Sequence, residues 1–191
     1  MRITTRSTLE HVAAVLADTL GGAGIRAVLT GGACATIYSE GGYQSEDLDL
    51  ILLSSPTQRS LDETMARAGF ARNGNYYEHP RTSFFVEFPR GPLAIGADTS
   101  IAPVAMEVEG VPLLLLSATD SCRDRLAAFY HWRDRQALGA AIAIATKHAL
   151  DLAKIRAWSR REGALEGLEV FLRSLKAAKG VPCRSGQRGP R

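Results

Sequence analysis

The sequence predicts an α/β N-terminal half followed by a helical C-terminal block. Three observations carry that reading. Up to about residue 116, apolar positions switch between the helical and the strand period. Glycine pairs at 21–22, 31–32 and 41–42 punctuate those segments. From residue 117 to 180 the chain has no proline and is rich in Ala, Leu and Arg.

Leu9, Val12, Ala13, Leu16 and Leu20 recur at helical spacing, with Thr8 placed to cap the start and Gly21-Gly22 to stop it. Residues 25–29 are largely apolar and bounded by glycines, the pattern of a buried strand. Gly31-Gly32 then opens a short helix over 33–39, which Gly41-Gly42 breaks. Residues 48–53 form a second strand, and 57–68 return to helical spacing through Leu61, Met65 and Ala68. Strands are expected at 76–77, 83–88, 93–95, 104–108 and 111–116, with Pro89 and Gly91 ending the second of these. Glu107 and Glu109 would share one strand face as solvated residues. Residues 121–132, 133–148 and 150–175 read as three or four packed helices. The expected division is an α/β core over 1–116, a helical subdomain over 117–180 and a disordered basic tail over 181–191.

Composition narrows the function classes. The 191 residues are 46% hydrophobic and 23% charged, which suits a globular chain and not a disordered one. No apolar run reaches the roughly 18 residues of a membrane span, and the first ten residues lack a signal-peptide layout, so no membrane partner and a cytoplasmic location are expected. Cys34, Cys122 and Cys183 form no CxxC pair, which argues against a disulfide framework or a structural zinc. The net charge of +3 hides an asymmetry: six basic and no acidic residues follow position 172, leaving the remainder at −3. Such a tail is either a solvated end or an arm that follows a phosphate backbone.

The stretch from Leu29 to Leu52 carries the chemistry. A strand runs into Gly31-Gly32 and a helix follows, so the backbone can approach a ligand and the helix start suits a phosphate. Asp47 and Asp49 lie two apart on a strand and project from the same face, while Leu48 and Leu50 face the core. Two carboxylates held together repel unless something neutralises them, and a divalent cation such as Mg²⁺ is suited to that. The alternative is a half-exposed strand with acids on its wet side. Glu87 adds a third acid among aromatic residues, in Phe84-Phe85-Val86-Glu87-Phe88. No GxSxG, Walker A or GxGxxG motif is present, and the residues after Asp49 do not fit a haloacid-dehalogenase nucleophile.

Gly31-Gly32, the connection 33–44 and Ser45-Glu46-Asp47-Leu48-Asp49-Leu50 resemble the nucleotidyltransferase superfamily typified by DNA polymerase β. Within it the pattern is similar to AbiEii-type toxin nucleotidyltransferases, matched at Tyr43, Ser45, Asp47, Leu48 and Asp49. Gln44 stands where those families often have a basic residue. The resemblance implies a short mixed nucleotidyltransferase-type sheet flanked by helices, and transfer of a nucleotidyl group from an NTP to a hydroxyl acceptor. It implies Mg²⁺ or Mn²⁺ held by Asp47 and Asp49, with Gly31, Gly32 and Ser45 at the nucleotide and Glu87 as a further metal ligand or base. It also implies an RNA acceptor such as tRNA and an antitoxin partner. In the helical half, Arg123 through Asp134 resembles a family pattern of a basic residue followed about ten residues later by Arg/Lys-Asp. Arg123 or Arg125 then takes the place of the usual triphosphate-binding Lys, and Asp134 that of a later catalytic acid; surface ion pairs are the alternative reading of these residues. A non-catalytic nucleotide- or RNA-binding relative is the second functional reading.

Overall fold

In this computed structural model, which describes residues 1–180, the elements follow in the order α1 (Leu9–Gly22), β1 (Ala27–Thr30), α2 (Gly31–Ser39), β2 (Asp47–Leu52), α3 (Gln58–Arg67), β3 (Ala71–Asn73), β4 (Tyr76–Glu78), β5 (Phe85–Glu87), β6 (Val104–Val108), β7 (Val111–Leu115), α4 (Ala118–Trp132), α5 (Arg135–Lys147), α6 (Leu152–Arg161) and α7 (Leu165–Gly180). The expected disordered tail, 181–191, lies outside the described residues.

The strands form one mixed sheet in the order β3-β4-β5-β2-β1-β7-β6. β1 pairs antiparallel with β2, while β5 and β7 run parallel to β2 and β1 respectively. Directly paired residues share a face of a sheet. Tyr77, Val86 and Leu48 form one such row, all buried. The Tyr77 hydroxyl donates to Asp62 on α3 at 2.6 Å, so this face is the one α3 covers, with α1 packed beside it. The adjacent row, Tyr76, Glu87, Asp49 and Thr30, projects from the opposite face.

Five of the helices begin where hydroxyl or carboxylate side chains take up free N–H groups, whereas α2 has no side-chain cap. Thr8, Thr57, Ser117, Asp134 and Asp151 cap α1, α3, α4, α5 and α6. Buried apolar residues from the sheet, α1, α2 and the four C-terminal helices join in one hydrophobic core. α2 is central to it, packing against both α4 and α5. The Tyr38 hydroxyl donates to Leu116 O at 2.9 Å, and His148 Nε2 lies 2.8 Å from Tyr38 O. No helix among the described residues is long and apolar enough to cross a membrane.

Several details differ from the sequence reading. Residues 93–95 do not form a strand: only an isolated Ile95–Asp98 bridge occurs there, in a segment held by side chains instead of a ladder. β3, which the pattern does not suggest, is exposed at all three positions and so has no apolar alternation to detect. Glu109 does not share a face with Glu107. It sits past the end of β6 at φ 51°, and its carboxylate lies 2.7 Å from His11 Nδ1. The long helical stretch 150–175 breaks into α6 and α7 at Gly163, φ 69°.

Candidate active site

The site is built at the ends of β1 and β2. Leu48 and Leu50 are buried, which fixes the phase of β2 and turns Asp47 and Asp49 to the opposite face. β5 then brings Glu87 directly opposite Asp49, on a strand roughly 4.8 Å away. The strand register thus gathers three carboxylates on one face.

Gly31 begins α2 at φ 65°, and a Cβ there would collide with the Asp49 carboxylate oxygen Oδ2. A Cβ on Gly32 would collide with the Ser45 hydroxyl and meet Tyr43 Oη at 3.3 Å. The two glycines are therefore required by close approach, since any side chain would displace Asp49 or Ser45. The Ser45 hydroxyl donates to Asp47 Oδ1, which orients that carboxylate.

The connection from α2 to β2 is held from within α2. Thr36 Oγ1 donates to Gly32 O at 3.1 Å and accepts the Ser45 N–H at 3.0 Å. The Ser39 hydroxyl accepts the Tyr43 N–H at 3.0 Å and lies 3.0 and 3.2 Å from the carbonyls of Thr36 and Tyr43. The sequence does not single out Thr36 and Ser39. Their signal is a hydroxyl at helical spacing just ahead of the Gly41-Gly42 break, a pattern too common to stand out.

Burial pushes the Asp49 carboxyl up to about 6, and the negative charges of Asp47 and Glu87 add to the rise. Arg125 on α4 acts in the opposite direction on the same group. Its Nε and Nη2 both donate to Asp124 Oδ2, at 3.1 and 2.7 Å. Burial lowers the pKa of this guanidinium, but Asp124, Tyr43 and Asp49 outweigh that and hold it firmly charged. Asp124, which no motif in the sequence marks, is thus the residue that fixes the cation beside the carboxylates.

The other helical candidates are not brought to the cluster. Arg123 is a candidate nucleotide contact by the family resemblance, yet its side chain is completely buried. It donates to Asp120 at 2.7 Å and to Asp98, and lies 5.0 Å over the Trp158 ring. Two residues along a helix are about 200° apart in phase, so Arg125 and Arg123 cannot both serve the site. Asp134, the candidate catalytic acid, is exposed and caps α5, accepting the N–H groups of Gln136 and Ala137 at 2.8 and 3.1 Å. It follows the far end of α4, where Trp132 lies about 10 Å along the axis from Arg125. Gln44 is exposed.

Among the described residues, no group of three or more His, Cys, Asp and Glu is placed to hold a metal ion, so Asp47, Asp49 and Glu87 do not make a three-ligand site by themselves. The donor chemistry nevertheless suits Mg²⁺, which keeps several waters and binds through one or two carboxylates plus phosphate oxygens. Asp49 is raised first by burial and then by Asp47 and Glu87, with Arg125 opposing, so a cation here would relieve the repulsion among the carboxylates.

No protein-family model and no curated protein matches the chain. Solved structures of similar fold include these two. An antigenic nucleotidyltransferase-like protein from Paracoccidioides brasiliensis superposes with a TM-score of 0.55 at 18% identity, over 74% of this chain and 77% of that one. The antibiotic-resistance factor ANT(2'')-Ia superposes with a TM-score of 0.52 at 14% identity, over 84% of this chain and 96% of that one. The chain has a nucleotidyltransferase-like fold.

Proposed function

We propose that this protein is a metal-dependent nucleotidyltransferase that moves a nucleotidyl group from an NTP to a hydroxyl acceptor. The observation that carries the proposal is the register placing Glu87 opposite Asp49, beside a glycine pair that no Cβ could replace. The similarity in fold to nucleotidyltransferase-like structures supports the same reading.

In this proposal Asp47 and Asp49 hold Mg²⁺ or Mn²⁺, with Glu87 as a further ligand or as the base for the acceptor hydroxyl. The bound metal would supply Lewis-acid stabilisation of charge on the phosphate oxygens. The remaining work falls to the chain itself. Gly31 and Gly32 leave room for the triphosphate at the start of α2, where free N–H groups favour an anion. Arg125, steadied by Asp124, compensates triphosphate charge in place of a lysine. Ser45 fixes the Asp47 carboxylate, so the site is oriented before substrate arrives. A raised Asp49 carboxyl implies that the free protein carries part of the cluster protonated near pH 6, and that binding the metal–nucleotide pair releases the proton.

We further propose RNA as acceptor, and a toxin role checked by an antitoxin, on the strength of the motif resemblance alone. The test is incubation with each of the four labelled NTPs, Mg²⁺ and separate pools of tRNA, protein and small hydroxyl compounds. Label on tRNA with pyrophosphate release, lost in Asp49→Asn, supports both the transfer and the RNA acceptor, and the toxin role is tested by growth arrest on expression. Label confined to another pool retains the enzyme and removes RNA. Nucleotide binding without transfer to any pool leaves the non-catalytic relative.

A further inference from the structure

The face of the sheet opposite the carboxylates carries a second concentration of charge, of the other sign. A pocket of about 320 Å³ opens between the N-terminal segment, α1, the end of α3 and the connection from β4 to β5. Its walls include Arg2, Arg67, His79 and Arg81, and no acidic residue. α1 contributes Val15 and Thr19, neither charged. Among the described residues, none of the three guanidinium groups takes part in an ion pair, unlike Arg59, Arg123, Arg125 and Arg161 elsewhere.

The floor is shaped by close contact. Gly69 sits at φ 86°, and a Cβ there would meet His79 Nε2 at 2.7 Å. The Arg81 N–H donates to His79 Nδ1 at 3.1 Å, so the neutral ring carries its proton on Nε2. The opening is thus lined by a ring N–H donor and three exposed arginines, of which Arg81 acts on the ring's charge. Burial lowers the His79 pKa and the Arg81 charge lowers it further, as expected where positive potential is uncompensated. Like charges brought together without counter-charge favour an anion between them, and arginine forks match phosphate oxygens. The volume is at the lower end of ligand pockets.

We propose that this pocket is a phosphate site, separate from the carboxylate cluster, that takes inorganic phosphate or a small phosphate monoester. Arg67 and Arg81 grip the oxygens, Arg2 closes the outer side and His79 donates from the floor. Occupancy does not require nucleotidyl transfer, so the site stands or falls independently of the proposed activity.

The test is proton NMR of the His79 ring in the full chain, assigned with His79→Gln. Inorganic phosphate and glycerol 3-phosphate are titrated at constant ionic strength. Either ligand should shift the resonance saturably and raise the His79 pKa by about one unit, because an anion reverses the local field. The tighter of the two identifies the source. The exposed pair Arg67→Gln with Arg81→Gln should weaken binding about tenfold. Asp47→Asn with Asp49→Asn should leave the His79 response unchanged. The proposal is overturned by equal affinity in the Arg67/Arg81 variant, by no saturable response to either ligand, or by a response only to a single-stranded oligonucleotide.

Discussion

Replacing Asp49 by Asn should stabilise the protein at neutral pH while abolishing nucleotidyl transfer. The folded carboxyl titrates at about 6 against an ordinary value of 3.8. A shift of about two units corresponds to roughly 3 kcal/mol, and water reaching the half-buried group reduces the expected net effect to about 2 kcal/mol. The direction follows from proton linkage. The folded state binds the Asp49 proton more tightly than the unfolded state, so between pH 4 and 6 folding retains a proton that unfolding releases. The penalty is absent below the unfolded pKa, grows as pH rises and is complete above about 6. Asn keeps the shape and removes the charge. Urea unfolding of both proteins at pH 4 and pH 7.5 should therefore show near-equal stabilities at the lower pH and a more stable Asn variant at the higher. Mg²⁺ with an NTP should close the gap by stabilising only the wild type. An Asn variant less stable than wild type at pH 7.5, or a difference independent of pH, would refute the claim that Asp49 carries uncompensated charge.

Gly31→Ala should lower stability by about 1–3 kcal/mol and remove activity, because it strains a left-handed backbone and pushes Asp49 aside; thermal unfolding and transfer assays check both. Arg123→Met should destabilise by about 1–3 kcal/mol, because the buried Asp120 keeps only Lys154 and the half-buried Asp98 only Arg161, whereas Arg125→Gln should chiefly weaken NTP binding. Asp134→Ala should cost about 1 kcal/mol as a lost helix cap and leave NTP affinity unchanged by calorimetry. Native Cys34 should resist thiol reagents near pH 8, because burial pushes its thiol up to about 12; rapid labelling would contradict its enclosure.

The carboxylate cluster is legible in the sequence because its signal is local. Asp47-Leu48-Asp49-Leu50 states its own phase, and Glu87 in an aromatic run marks a strand whose acid needs a reason to be there. The glycine pair is legible for the same cause, although its purpose, clearing Asp49 and Ser45, appears only when β1 and β2 are paired. The assignment of the two arginines is not legible. Arg123 and Arg125 are equivalent in composition and spacing, and what separates them is Asp98, 25 residues earlier in a segment without regular structure. Asp134 carries two signals that point different ways. An Asp two or three residues before free helical N–H groups is a cap by local chemistry, and the resemblance assigns it to catalysis instead. Thr36 and Ser39 serve the site through backbone groups, and the hydroxyl spacing that signals such contacts is too common in sequence to stand out.

The proposed site holds a metal–nucleotide pair at Asp47 and Asp49, with Glu87 as a further ligand or as the base. Calorimetric titration of a non-hydrolysable NTP, with and without Mg²⁺, measures this directly in the wild type, in Asp47→Asn with Asp49→Asn, and in Glu87→Gln. Mg²⁺ should strengthen wild-type binding by at least about tenfold, the double variant should lose this Mg²⁺ dependence, and Glu87→Gln should reduce it where Glu87 is a ligand and leave it unchanged where Glu87 is the base. Mg²⁺-dependent binding of equal strength in the wild type and the double variant would contradict the proposed site.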